Sequence, residues 1–324
     1  MAGMNTGNSE LLIRAELWSS ELKEILRDDL MMTGWVDMLD GFPDGDTFTI
    51  PSVGDAQVDD YSEDSAVEYR PLDTGEWQFS IDEYLSSGTY VTKKAEQDSY
   101  YMSQVISSFV PKQRRAIMEH FEATVLEKPE AILGASANGQ YAINDAYHRM
   151  SGGNSGAIEV ADFAYARYAL KKANVPDTNL VAIVDPSVEY TINTLTNLVS
   201  VSDNPRWEGI VADGIATGMK FVKNIYGFDV YCSNYLPDVT DSALPERDGS
   251  TTNDFSTNNG KANYFFSAAS DVTPWKAAWR QMPEVDAEYN KDFQRTEFVT
   301  TARYGSKLYR PENMVSIVTN PAVS

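Results

Sequence analysis

The pattern of apolar positions along the chain predicts several amphipathic helices. In residues 9–32 the apolar positions recur at helical spacing, with charged residues elsewhere on the wheel, which predicts one such helix. Those positions are Leu11, Ala15, Trp18, Leu22 and Ile25. The same spacing predicts helices over residues 94–109, 112–128 and 158–173. Pro111 suits the first position of the third helix, and Pro129 predicts its end.

Other stretches alternate with the period of a β-strand. In "GFDVYCSNYLP", residues 227–237, apolar Phe228, Val230 and Cys232 alternate with Asp229, Tyr231 and Ser233, which predicts a strand with two different faces. The continuous apolar run "LVAIV", residues 180–184, predicts a buried strand. Directly after it, Asp185 is expected to cap a helix in which Pro186 takes the first position.

Residues 44–92 show no helical stripe. Strand patterns at residues 47–50 and 77–81 enclose a long polar section with glycine and proline, which predicts a two-stranded extension with an irregular tip. From residue 44 to residue 83 there are twelve acidic residues against one base, Arg70. The acidic stretch "DDYSED" lacks the glycine and the distant glutamate of a calcium-binding loop, so a solvated acidic face is the preferred interpretation.

Four further stretches have weaker patterns. "MSGGNSGA", residues 150–157, matches no phosphate-binding loop and is interpreted as a flexible connection, and residues 248–260 as a polar, mobile loop. Trp275 and Trp279, four residues apart, predict a short helix. The carboxy-terminal region predicts two strands joined at Tyr304 and Gly305, with Pro311 interrupting the second.

Composition and charge restrict the classes of function. The 324 residues include 26 basic and 48 acidic ones, a net charge of −22, which argues against a nucleic-acid-binding surface because phosphate binding needs clustered Lys and Arg. We expect neither a membrane span nor a signal peptide, because long apolar runs and a basic leader are missing. Cys232 is the single cysteine, so a disulfide within one chain is impossible.

The sequence offers no catalytic signature. His120 and His148 are the two histidines, which nearly excludes Cys/His zinc sites, and we interpret them as a helix-surface and a loop-edge residue. A carboxylate-pair hydrolase remains an alternative, although 48 acidic residues make some carboxylate pair inevitable. We therefore expect no catalytic, cofactor-binding or metal-binding residues and no cofactor.

The order of these elements resembles the major capsid proteins of tailed bacteriophages, which have the HK97 fold. Three stretches carry the resemblance: "LKKANVPDTNLVAIVDPSVEYTI" at residues 170–192, "GFDVYCSNYLP" at 227–237 and "ARYGSKLYRPENMVSIV" at 302–318. They are similar to the helix, turn, strand and Asp-Pro helix start of the family's axial domain, to its Gly-Phe strand, and to the closing strand of its peripheral domain. The resemblance extends from about residue 9 to residue 318.

The resemblance implies an α+β chain with five parts. Residues 1–45 would form an N-arm, and residues 46–93 an E-loop hairpin that lies across a neighbouring subunit. Residues 94–134 would hold the spine helix and part of the peripheral domain. Most of residues 135–290 would form the axial domain, and residues 291–324 would close the peripheral domain.

The implied function is structural. The chain would self-assemble as hexamers and pentamers into an icosahedral virion shell that encloses double-stranded DNA, after assembly in the host cytoplasm. A separate scaffolding protein is expected because no long helical leader precedes the N-arm. A portal is expected as well, and cement or decoration proteins are further candidate partners. The extension has no lysine before Lys93, so no covalent crosslink is expected. An encapsulin-type nanocompartment is the alternative within the same fold.

Candidate subunit-interface residues follow from this implied assembly. On the N-arm they are Trp18, Leu22 and Ile25; on the extension, Arg70, Trp77 and Phe79; at the start of the long helix, Lys112, Arg114 and Arg115. The three basic residues would supply the partner surface that an acidic extension needs. For the apolar residues, packing within their own subunit is an equally acceptable interpretation.

Overall fold

The structure is a computed structural model that describes residues 30–39, 47–54, 58, 60, 63, 66, 74–98, 102–135, 141–194, 221–249 and 251–321. The helices are α1 (Lys93–Asp98), α2 (Met102–Leu133), α3 (Gly153–Gly156), α4 (Val160–Lys172) and α5 (Pro186–Thr194). The strands are β1 (Asp37–Met38), β2 (Thr47–Val53), β3 (Thr74–Ser80), β4 (Glu83–Thr92), β5 (Ala142–Ile143), β6 (Ala146–Tyr147), β7 (Arg149–Ser151), β8 (Leu180–Val184), β9 (Phe221–Ile225), β10 (Phe228–Cys232), β11 (Asp238–Val239), β12 (Leu244–Pro245), β13 (Thr252–Asn253), β14 (Gly260–Ser267), β15 (Trp275–Asn290), β16 (Arg295–Leu308) and β17 (Val315–Thr319).

The long helix α2 lies across a sheet whose strand order, within the described residues, is β1-β15-β16-β4. Phe121, Val125 and Leu126 on α2 are almost completely buried against this sheet and its surroundings. On the sheet side, Trp275 and Tyr304 belong to the same core. Burial of these large side chains, each contributing roughly 1.5–3 kcal/mol or more, holds the helix in place.

A second sheet has the order β7-β17-β14-β8-β10-β9, with β11 added beside β14, again counting the described residues only. The apolar run of β8 is buried at every position, as the sequence predicts. Val181 and Ile183 contribute to the core shared with α2, whereas Ala182 and Val184 face the core under α4 and α5. The strand β10 runs parallel to β8 and antiparallel to β9, and its predicted alternation of buried and half-buried residues is confirmed.

The predicted extension is confirmed as an antiparallel pair of β2 and β3, in which Phe48 pairs with Phe79 and Ile50 with Trp77. The predicted cap is confirmed as well, because the Asp185 carboxylate accepts hydrogen bonds from the Ser187 backbone N–H at 3.0 Å and hydroxyl at 2.6 Å. The predicted helix over residues 9–32 lies outside the described residues except for its last three, where Met32 begins a 3-10 turn.

The predicted helices over 94–109 and 112–128 are wrong in their boundaries. The chain forms the short α1 and then one continuous α2 that passes through both Pro111 and Pro129. A proline inside a helix costs about 3 kcal/mol, and the buried face of α2 compensates for it. The helix ends at Leu133, next to Gly134, whose N–H still bonds to the Glu130 carbonyl at 2.9 Å.

Two predictions in the carboxy-terminal third are wrong as well. Trp275 and Trp279 lie on the strand β15, not on a helix. A spacing of four residues places two side chains on one face of either a helix or a strand, so it does not discriminate between them. Tyr304 and Gly305 do not form a turn, because β16 continues through both, and the break in the chain comes at the 3-10 turn Pro311–Asn313.

The two stretches predicted as loops, residues 150–157 and 248–260, contain regular secondary structure and buried residues. Met150 lies in the buried strand β7, and α3 follows, so residues 150–157 are not a simple connection. Within residues 248–260, β13 pairs with β12 and Phe255 is buried in the core. His148 is also buried, not at a loop edge, because it lies between β6 and β7 with its Nδ1 2.9 Å from the Met314 carbonyl. His120 is on the exposed side of α2, as predicted.

Candidate functional site

The root of the extension is held by a close crossing of two strands. A Cβ atom placed on Gly305 of β16 would lie 2.4 Å from the carbonyl oxygen of Ser80 and 3.0 Å from the Cα of Ile81. Only glycine fits such an approach of one backbone to another. The crossing therefore fixes where the β2–β3 extension leaves the four-stranded sheet.

Aromatic side chains surround this crossing. Phe79 is completely buried within its own chain, so packing within its own subunit is the interpretation that the structure supports for this residue. Trp77 is half-buried, with its ring centroid 5.7 Å from that of Phe79 and 4.9 Å from that of Tyr309. Lys307 lies over the Trp77 ring at 5.4 Å and donates to the Gln78 carbonyl at 2.8 Å. These contacts anchor the extension on its own body.

Beyond its root, the extension is exposed. Five of the seven residues of β3 are exposed, and even at the root Phe48 of β2 keeps 42% of its surface accessible. A two-stranded hairpin is only marginally stable in water without a further surface to pack on. The extension therefore presents surface that the described part of its own subunit does not bury.

The three basic residues that were expected at the start of the long helix lie about three turns into α2 and differ in their exposure and partners. Arg114 is exposed, whereas Lys112 and Arg115 are half-buried. The Nε of Arg115 lies 3.0 Å from the Glu119 carboxylate one turn further along the helix. Pairs of this kind at the surface contribute little stability, so the side chains can exchange partners at small cost. Arg114 and Arg115 thus place positive charge on the surface of a very acidic protein.

The face of the four-stranded sheet that points away from α2 carries exposed aromatic residues. Tyr84 and Tyr90 are six residues apart on β4, therefore on one face, and are 67% and 57% exposed. Near Tyr90, Phe293 is 66% exposed at the turn between β15 and β16. The guanidinium of Arg295 stacks on both rings, at 4.4 Å from Tyr90 and 4.7 Å from Phe293. Exposed aromatic and arginine side chains are typical of protein–protein interfaces.

A cleft of about 620 Å³ lies where this sheet face meets the root of the extension. It is open and mainly polar. The lining residues are Ile81, Asp82, Tyr84, Arg280, Gln281, Glu284 and Arg303. Opposite charges share this cleft, with the carboxylates of Asp82 and Glu284 and the guanidinium groups of Arg280 and Arg303 in its lining.

A buried ion cluster joins α2 to the second sheet. Arg149 on β7 is 2% exposed, with its Nε 2.8 Å from Glu130 and its Nη2 2.5 Å from Asp241. The Ser316 hydroxyl donates to the other oxygen of Glu130 at 2.5 Å. Burial alone would lower the pKa of Arg149, but the two carboxylates outweigh it and raise that pKa. The cluster is therefore a fixed charge network that ties three elements together.

The sequence profile of a family described as "Phage capsid protein" matches residues 76–317. The chain belongs to the phage capsid protein family. This match runs from β3, at the root of the extension, to β17. It includes α2, most of both sheets and Gly305.

Solved phage capsids share the fold of this capsid protein over nearly its whole length. The structure from Mycobacterium phage Che8 is 17% identical, with a TM-score of 0.66, over 94% of this chain and 96% of that one. The capsid of the cyanophage P-SCSP1u is 17% identical, with a TM-score of 0.69, over 97% and 95%. The capsid of Ralstonia phage GP4 is 12% identical, with a TM-score of 0.61, over 99% and 98%. No curated protein matches the sequence.

The comparisons confirm the predicted α+β, HK97-like fold and the structural role of a major capsid protein. They favour neither the nanocompartment nor the hydrolase alternative. Within the described part of the capsid protein, no group of three or more His, Cys, Asp or Glu side chains is arranged to hold a metal ion. The helices of that part include none long and apolar enough to cross a membrane.

Sequence reasoning located some of the candidate residues and missed others. Four predicted interface residues, Trp18, Leu22, Ile25 and Arg70, lie outside the described residues. The sequence did not indicate the roles of Lys307 and Arg149, because a lone basic residue in an apolar strand pattern does not reveal its partner. It placed Gly305 in a turn, although a glycine between apolar strand residues is also the signal of a close backbone approach.

Proposed function

We propose that this capsid protein assembles as hexamers and pentamers into a closed icosahedral shell that encloses double-stranded DNA. The observation that carries the proposal is the extension, anchored at Gly305 and Phe79 but exposed beyond that root. The subunit fixes the direction of the extension at its root but does not bury the rest of it. Such an element is suited to lie on a neighbouring subunit. The exposed aromatic face of the four-stranded sheet offers such a neighbour a receiving surface.

The shell would be held by many modest contacts rather than by one tight one. A standard interface buries roughly 800 Å² per partner. A projecting extension lets each subunit contact more than one neighbour, so the total binding energy grows without any single contact being irreversible. Such weak, repeated contacts allow errors to be corrected before the shell closes.

The net charge of −22 suits a container for DNA. A negatively charged inner wall does not bind phosphates, so a genome can slide while it is packed. The proposal also includes assembly in the host cytoplasm with a separate scaffolding protein and a portal as partners, and cement proteins are further candidate partners.

The acidic extension of one subunit is proposed to contact the basic residues of the next. Lys112, Arg114 and Arg115 provide positive charge in the first half of α2, and residues 44–83 provide twelve acids against one base. Reversal of Arg114 and Arg115 to Glu is expected to block assembly but leave a folded subunit, as judged by circular dichroism. A matched control changes Lys171 and Lys172, exposed near the end of α4, to Glu. Normal particles from the Arg114 and Arg115 variant would refute this contact.

The proposed function is tested by size-exclusion chromatography and analytical ultracentrifugation of the protein produced together with its scaffolding partner. Shells or capsomers of five and six subunits are the expected species. A homogeneous monomer or dimer under every condition, from a chain that is folded, would contradict the proposal.

A further inference from the structure

Glu122 is a buried carboxylate that contacts the first described residues of the chain. It lies on α2 and is 2% exposed. Its Oε2 accepts a hydrogen bond from the backbone N–H of Met31 at 2.8 Å, and the N–H of Met32 also bonds to the carboxylate. Its Oε1 is buried and has no hydrogen-bond partner among the described residues.

The segment of residues 30–39 depends on this carboxylate. Its 3-10 turn, Met32–Gly34, has no side-chain cap of its own, so the N–H groups at its start need an acceptor from elsewhere. Glu122 provides that acceptor from another element. After the turn, the short strand β1 pairs with β15, which completes the attachment of the segment to the body.

Three contacts engage charged or titratable groups on the surrounding elements: one joins the segment to β15, one runs along α2, and one joins α2 to β16. The contacts are Lys276 with Asp37, Arg115 with Glu119, and His120 with Tyr304. Among the residues that the structure describes, the stabilising partners of Glu122 are backbone N–H groups and not a cation.

We propose that Glu122 is a pH-sensitive latch, which holds the segment of residues 30–39 tightly on α2 in acid and loosens it as the pH rises. The segment joins residues 1–29 to the body of the protein. The latch would therefore set how firmly the amino-terminal part of the chain is attached. The latch acts within a single subunit and does not depend on the formation of the proposed shell.

The direction of the effect follows from linkage between protonation and docking. Burial raises the pKa of Glu122 from 4.5 to about 7, and the backbone hydrogen bonds from Met31 and Met32 only partly oppose it. If the segment detaches, the carboxyl enters water and its pKa returns toward 4.5. Below that value both states are protonated and docking does not vary with pH. Between the two values only the docked state keeps its proton, so a rise in pH favours detachment by up to ~300-fold.

The test is hydrogen exchange of the purified full-length protein, followed by mass spectrometry of peptides that cover residues 30–36. The N–H groups of Trp35 and Val36 bond to the Met32 carbonyl at 3.0 and 3.1 Å, so they report on the turn directly. After correction for the intrinsic exchange rate, protection of these amides is expected to fall by up to ~70-fold between pH 5 and pH 8, because part of the ~300-fold effect has already occurred by pH 5. Glu122→Gln, which is neutral at every pH, is expected to remove this dependence.

Glu119→Gln is the matched control, because Glu119 lies one turn earlier on α2 and pairs with Arg115 at the surface. It should keep the wild-type pH profile. A wild-type profile that does not change with pH, or an unchanged profile in Glu122→Gln, would overturn the latch. If Glu122→Gln does not fold, carbon NMR titration of labelled glutamate in the wild type decides instead. A Glu122 carboxyl that titrates near 4.5 would refute the inference, and one that titrates near 7 would support it.

Discussion

Replacement of Gly305 by Ala tests whether the close crossing of β3 over β16 positions the extension. The added Cβ would lie 2.4 Å from the Ser80 carbonyl oxygen, whereas real Cβ atoms stay at least 3.0 Å from other heavy atoms. The backbone near Ser80 must therefore move away by about 0.6 Å or more. Because both partners are backbone in packed strands, no flexible side chain can absorb this displacement. Overpacking of this kind typically costs about 1–3 kcal/mol.

We expect Gly305→Ala to lower the free energy of unfolding in urea by that amount and to increase hydrogen exchange in residues 77–81. Because the extension would leave its root at a changed angle, we also expect fewer closed particles. Gly88→Ala is the matched control on β4, since a Cβ there would be 3.7 Å from the Val299 side chain and 3.9 Å from the Phe298 carbonyl, ordinary contacts. Equal stability of both variants and of the wild type would show that the Gly305 crossing is not as tight as the 2.4 Å approach implies.

Three further predictions concern charge and covalent state. Arg149→Met leaves the carboxylates of Glu130 and Asp241 without their cation and should lower the free energy of unfolding by about 3–5 kcal/mol. The control Arg167→Met removes a surface pair with Asp177 and should lower it by about 1 kcal/mol or less. Equal losses in the two variants would contradict the role of burial. Burial lowers the pKa of His148 below 6.5, so the folded state resists protonation and its stability is lost as the pH falls below 6.5. The melting temperature of the wild type should then fall relative to that of His148→Gln from pH 7 to pH 5, and parallel pH profiles would contradict this. Intact particles should give one capsid band near 36.0 kDa on a denaturing gel, and a ladder of covalent multimers would disprove the absence of crosslinks.

Sequence patterns predicted the elements whose period is unambiguous. The strands β8 and β10, the helix α4 and the capped start of α5 all have a single clear period or a turn residue with a defined role. The pair of strands β2 and β3 was found in the same way, because a strand pattern on either side of a polar section has few other interpretations.

The elements that sequence reasoning misjudged are those decided by tertiary packing. The helix α2 continues through Pro111 and Pro129 because its buried face compensates for the lost hydrogen bonds. The β15 tryptophans fit a helix and a strand equally well until the pairing with β16 is known. Likewise, the burial of Arg149 and Glu122 depends on elements distant in sequence, which no local pattern reveals.

Electron microscopy of the particles from which this phage capsid protein is isolated shows whether the protein builds a closed shell. We expect closed icosahedral shells in which a reconstruction shows the β2–β3 extension lying on a neighbouring subunit. Small uniform oligomers that never close, or shells in which the extension folds back on its own subunit, would contradict it.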